Sequence, residues 1–188
     1  KLEPSKEKGY QTLSLIEKNG IKRFLHSNIA PSKEESLLEE SILKNAKDTV
    51  IVLGCGVGYH LKPLTRIPTL KKLLIIDALP HLESDVTFPD YVKQLNPLFI
   101  TGTDSIRVEE LLLSLLDIES ISSIFICEHP TSLRLFPAFY SDCKEIIHKI
   151  IRLKAGNATT KKTFASLFFR NISRNIAALS SFHPVNHL

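Results

Sequence analysis

Gly54, Gly56 and Gly58 stand at alternate positions directly behind the apolar run Val50 to Leu53, with Tyr59 and His60 next in line. Glycine at a strand end lets the backbone turn sharply and approach a phosphate or a nucleoside at the start of a helix. Asp77 closes a second apolar run, Leu73 to Ile76, where a carboxylate can hold ribose hydroxyls. Asp104 follows a third run, and Glu128 with His129 a fourth. A carboxylate beside a histidine is an acid/base combination, because imidazole titrates near neutrality. A histidine before a proline also serves as a turn residue bonded to backbone, and both readings apply to His60. These positions are candidate cofactor-binding residues. None is assigned a catalytic role.

The elements that must position them follow from periodicity. Continuous β-branched runs flanked by glycine or acidic residues read as strands buried on both faces. They fall at Val50–Leu53, Leu73–Ile76, Leu98–Thr101 and Ser123–Cys127, with helical patterns at Tyr59–Leu64, Asp90–Leu95, Val108–Leu116 and Pro137–Leu153. Strand and helix in alternation predict βαβ units and a Rossmann-like, mostly parallel sheet flanked by helices, over residues 49–154. In such a sheet ligands bind beyond the carboxyl ends of the strands, so the candidates should meet on one rim.

Before this core, residues 1–9 read as a flexible lead-in. Thr12–Ile16 and Ile21–Leu25, joined through Asn19-Gly20, predict a small N-terminal β-hairpin. Ser32 with Glu35 predicts a capping box opening a helix whose Leu37, Leu38, Ile42, Leu43 and Ala46 cover the sheet. Glu34, Glu35, Glu39 and Glu40 then read as a solvated face. Residues 1–48 thus form the hairpin and capping helix. Residues 155–188 read as a linker helix, Thr159–Leu179, leading to a downstream domain.

Composition bounds the function. The chain has 188 residues, 43% apolar and 23% charged, with a net charge of +4 and no basic run, which gives no support for nucleic-acid binding. No apolar stretch reaches the roughly 18 residues a membrane span needs. Cys55, Cys127 and Cys143 show no CxxC spacing and read as reduced thiols in a cytoplasmic protein. The histidines lack HxxxH or HExxH spacing, so no metal site is expected. There is no GxSxG and no GxxxxGK[ST]. Methionine is absent even at position 1, so the sequence is expected to be part of something longer.

The glycine spacing separates ligand classes. A dinucleotide fingerprint would place its third glycine at Tyr59. The observed G-x-G-x-G resembles the first motif of S-adenosylmethionine-dependent methyltransferases, but the acidic residue expected two before the first glycine is Val52. A nucleotide, a nucleotide-sugar and S-adenosylmethionine stay open as cofactors. So does a loop that serves only tight strand-to-helix packing.

Three stretches together resemble one family. Leu25-His-Ser-Asn-Ile-Ala-Pro-Ser-Lys-Glu-Glu35 is similar to the LHS-x-x-x-P-x-x-E segment of motility accessory factor (Maf) proteins, flagellin glycosyltransferases related to archaeal hydroxymethylpterin diphosphokinase. Leu53 to His60 is similar to that family's LGxGxGYH loop, and Asn157 to Thr160 with Phe164, Asn171 and Asn175 to the start of its central domain. Glu128 to Pro137 fits the same pattern. The resemblance implies that a nonulosonic acid is transferred from its CMP form to flagellin Ser or Thr by a central domain beyond residue 188. The present chain would then be structural or accessory. Its partners would be that downstream domain and flagellin, with a homo-oligomer left open. The alternatives are a small methyltransferase and a non-catalytic binding or dimerisation module that uses the 159–179 helix.

Overall fold

The computed structural model describes residues 1–17, 19–116 and 124–156. The expected helix at 159–179 lies outside them. Four parallel strands form the central sheet: β4 (Thr49–Leu53), β5 (Lys72–Asp77), β6 (Leu98–Thr101) and β7 (Ile124–Glu128), in the order β6-β5-β4-β7. The first strand in sequence is therefore central, and the chain reverses direction across the sheet between β4 and β7, as in half of a doubly wound sheet. Register is in step along the sheet, with Leu53 level with Ile76 on one side and Glu128 on the other. That places the glycine loop and His129 at the same switch point.

Alternation divides the core. Val50, Val52, Leu73 and Ile75 point to one face, while Ile51, Leu53, Leu74 and Ile76 point to the other. The second face is covered by α4 (Ser105–Leu115), with Val108 and Leu112 buried, and by the helix α6 over residues 137–156, with Tyr140, Cys143, Ile147 and Ile150 buried. Two short helices not foreseen, α2 (Leu82–Asp85) and α5 (Pro130–Leu135), complete the connections around the expected α3 (Asp90–Gln94).

The first face is covered by the N-terminal segment. Its hairpin is present as β2 (Gln11–Ile16) and β3 (Lys22–Phe24), with Gly20 at φ +80° in the turn. The lead-in is not loose: β1 (Leu2–Pro4) pairs antiparallel with β2, making a three-stranded sheet. Leu13 and Leu25 share one core cluster with Val50 and Ile75.

The expected capping box is absent. Residues Pro31–Ser36 form a 3-10 helix with no side-chain cap, and a separate α1 (Glu39–Asn45) follows. Pro31 sets the first turn, and the Glu7 carboxylate accepts the Ser32 N–H (3.0 Å). Glu35 turns instead to the Tyr10 hydroxyl and Lys62. Breaking the helix also rotates its apolar face. Ile42 is fully buried and Leu38 and Ala46 half-buried, but Leu37 and Leu43 face solvent. Among the described residues no helix is long and apolar enough to cross a membrane.

Candidate functional site

The loop after β4 is built from left-handed glycines, with φ +79° at Gly54, +55° at Gly56 and +87° at Gly58. L-residues rarely adopt this region, which accounts for glycine at each position. The glycines also make room for protein atoms. A Cβ on Gly54 would overlap Ser132, and one on Gly56 would overlap the His26 ring. Every residue from Thr49 to Leu61 is buried. A 3-10 helix, Tyr59–Arg66, follows in place of the expected α-helix, with Pro63 inside it.

A phosphate cradle needs free backbone N–H donors. Here each donor from Gly54 to Gly58 already has a protein acceptor. Gly54 N–H donates to Ile76 O (2.8 Å) and Gly58 N–H to Cys55 O (2.9 Å). Cys55 and Gly56 N–H both donate to Asp77 Oδ2 (2.7 and 3.3 Å). Val57 N–H donates to His26 Nε2 (2.7 Å). The other oxygen of Asp77 accepts the Leu79 N–H (2.9 Å). Burial pushes the Asp77 carboxyl above its usual range although these three backbone donors pull it down. Burial, reinforced by Asp77, likewise pushes the Cys55 thiol well up, so it is no nucleophile.

The other candidates divide. His129 joins the loop: its N–H donates to Leu53 O (2.9 Å), and its buried side chain sits at the start of α5. Asp104 and Glu128 do not. Asp104 caps α4, accepting the N–H of Ile106 and Arg107, and Glu128 pairs with Lys144 at 3.5 Å near the surface.

Two residues of the site were not anticipated. The sequence places His26 in the LHS-x-x-x-P-x-x-E segment without a role, and Glu34 in a solvated face. The chain from Leu25 to Ser36, a strap tied to β2 by Leu25 N–H to Leu13 O and by the Thr12 hydroxyl to His26 O, carries both over the glycine loop. Glu34 accepts a short bond from His26 Nδ1–H and another from Ser27 N–H (2.7 Å). Its second imidazole neighbour is His129, whose Nε2 lies 3.9 Å away and whose Nδ1 meets Ser132 Oγ at 2.8 Å. Burial works against the charged form, yet the neighbouring His129 and His26 imidazoles and the Ser27 N–H hold Glu34 far below the usual carboxylate range.

His60 completes the cluster. Its ring stacks on His129 at 4.7 Å and 8°, fully buried, with neither nitrogen hydrogen-bonded among the described residues. Burial holds the His60 imidazole well below its ordinary pKa, and His129 below its own.

His26, Glu34 and His129 bring donor atoms within 4.8 Å of one another, the spacing of a metal site. The hydrogen bonds say otherwise. Val57 N–H requires a bare Nε2 on His26, so the proton of the neutral ring sits on Nδ1 and faces Glu34. His26 bridges the glycine loop and Glu34 by hydrogen bonds while His60 stacks on His129.

Segments distant in sequence thus meet at one place: 25–36, the glycine loop with Tyr59 and His60, Asp77, and 129–132. Residues 2–82 match a family model described as glycosyltransferase Maf N-terminal domain. Residues 2–82 are thus similar to a Maf N-terminal domain, over a little under half of the chain. No curated protein and no solved structure gave a match. The Maf match takes in β1 to β5, hence His26, Glu34, the glycine loop and Asp77, and stops before His129. The resemblance seen in the LHS segment and the LGxGxGYH loop is therefore real. The cluster joins the Maf segment to the switch-point strand that follows it.

Proposed function

We infer that this chain is an accessory N-terminal portion of a Maf-type protein glycosyltransferase. Sugar transfer from a CMP-linked nonulosonic acid to flagellin Ser or Thr belongs to a domain downstream, and this part supplies assembly and acceptor positioning in the cytoplasm. The observation that carries the reading is the use of every backbone donor from Gly54 to Gly58 by protein acceptors. A loop that turns over a nucleotide-sugar or S-adenosylmethionine keeps such donors for its ligand. Asp77, the ribose candidate, spends both oxygens on the loop itself.

The test is to express the chain alone and joined to its downstream sequence, and to assay both for transfer to flagellin. The joined protein should transfer the sugar and the chain alone should not. Calorimetry of the chain alone with CMP and with S-adenosylmethionine should be silent at millimolar ligand, weaker than about 4 kcal/mol. Turnover by the chain alone, or micromolar binding of either ligand, overturns the reading.

A further inference from the structure

We propose that the contact of the 25–36 strap with the parallel sheet is an acid-labile latch: His60 and His129 take up protons on acidification, and the strap opens off the glycine loop before the sheet unfolds. Three imidazoles meet under this strap, with His26–His129 centroids at 5.2 Å and His60–His129 at 4.7 Å. Glu34 is the carboxylate nearest His26 and His129, and it already accepts two hydrogen bonds, from His26 and from Ser27 N–H. The cluster can compensate few added protons on His60 and His129.

The groups facing each ring set the outcome. His129 faces Glu34 and His26 from the strap, Asp77 from β5, His60 from the 3-10 helix, and Ser132 of its own helix. Protonated, it would still point Nε2–H at Glu34. His60 faces His129 and His26, with Glu34 acting on it only as a weaker, more remote charge. An imidazolium there would bury two N–H donors with no acceptor among the described residues, next to another imidazole. Opening the strap hydrates both rings and removes the conflict.

The sign follows from linkage. Both rings titrate below their ordinary value of about 6.5 when closed and return to it when open. Closure is therefore complete above that pH and weakens as pH falls through it. Glu34, held low, adds to the loss only below the ordinary carboxylate range of about 4.5. Asp77, held high, acts in the opposite sense there, but it belongs to the sheet rather than the strap. The imidazoles thus rule the interval between. Each ring protonated only in the open form weakens closure about tenfold between pH 7.5 and 5.5, and two weaken it about a hundredfold.

Hydrogen exchange of the 188-residue chain, corrected for the intrinsic pH dependence of exchange, tests this. From pH 7.5 to 5.5, peptides spanning 11–36 should lose about ten- to a hundredfold protection while those spanning 49–53 and 72–77 keep theirs. His60→Phe keeps a stacked ring without a titrating nitrogen and should remove about tenfold of that loss. Ring 1H–13C spectra of the unmodified protein should show His60 and His129 titrating together with the opening, which holds the idea to account even if the variant misfolds. Unchanged protection at pH 5.5 overturns the latch. So does simultaneous loss in strap and sheet, or an acid response untouched in a folded His60→Phe protein.

Discussion

Asp77 shows how the same residue can be placed as foreseen and employed differently. It ends its strand beside the glycine loop, where a ribose partner stands in nucleotide-binding sheets, yet its carboxylate braces the loop through the N–H groups of Cys55, Gly56 and Leu79. Asp77→Asn replaces one acceptor oxygen by an N–H₂ facing donors, so a buried backbone group loses its partner. Urea unfolding should report a loss of about 2–4 kcal/mol. A residue reserved for ligand would leave stability nearly unchanged when replaced, so the measurement separates the two employments. His26 and Glu34 escaped the sequence for a related reason. A histidine in a Pro-flanked loop and a glutamate among other glutamates carry no periodic signal. Only the LHS-x-x-x-P-x-x-E resemblance tied them together, and it named no role.

Among the elements, the buried strands were legible because parallel strands covered on both faces need unbroken apolar runs, and β4, β5, β6 and β7 fall within a residue or so of their expected bounds. The hairpin was legible through its Asn-Gly turn. The segment 31–45 was misread because a capping box is a local pattern and the competing partners were distant: Glu7 for Ser32 N–H, Tyr10 and Lys62 for Glu35. β1 was missed because a three-residue edge strand has too short a pattern to register. Tyr59 is the pin between these elements. Its hydroxyl accepts the Gln11 N–H (2.8 Å) and donates to Gln11 O (3.0 Å), while its ring meets Tyr10 and His26 edge-on. Tyr59→Phe keeps the rings and deletes both bonds. It should cost about 1–3 kcal/mol in urea and raise exchange at Gln11 first.

For the whole molecule, the small sheet and the parallel sheet share a core. Leu13 and Leu25 are buried in the same cluster as Val52, Leu61 and Ile75, so the small sheet closes on one face of the parallel sheet and has no separate core of its own. At neutral pH, tyrosine fluorescence, sensitive to Tyr10 and Tyr59, and far-ultraviolet circular dichroism should therefore trace one coincident urea transition. Below the imidazole range the fluorescence change should come first. Two separated transitions at pH 7.5 would mean that the N-terminal sheet is an independent unit.

The strap also has a timetable. Leu25 to Glu34 leave the ribosome early, yet the ring that Glu34 faces, His129, is made about a hundred residues later, roughly 5–20 s at ordinary rates of synthesis. Through β4 and β5 the chain already makes most of the surface that buries Leu13 and Leu25, but the glycine turn forms before its covering side of β7 and α5 exists. The last strand among the described residues sits beside the first strand of its own sheet, so the switch point closes only when β7 arrives. The seat of the chain's earliest segment is therefore begun by β4 and β5 and completed only when its latest described strand brings in His129.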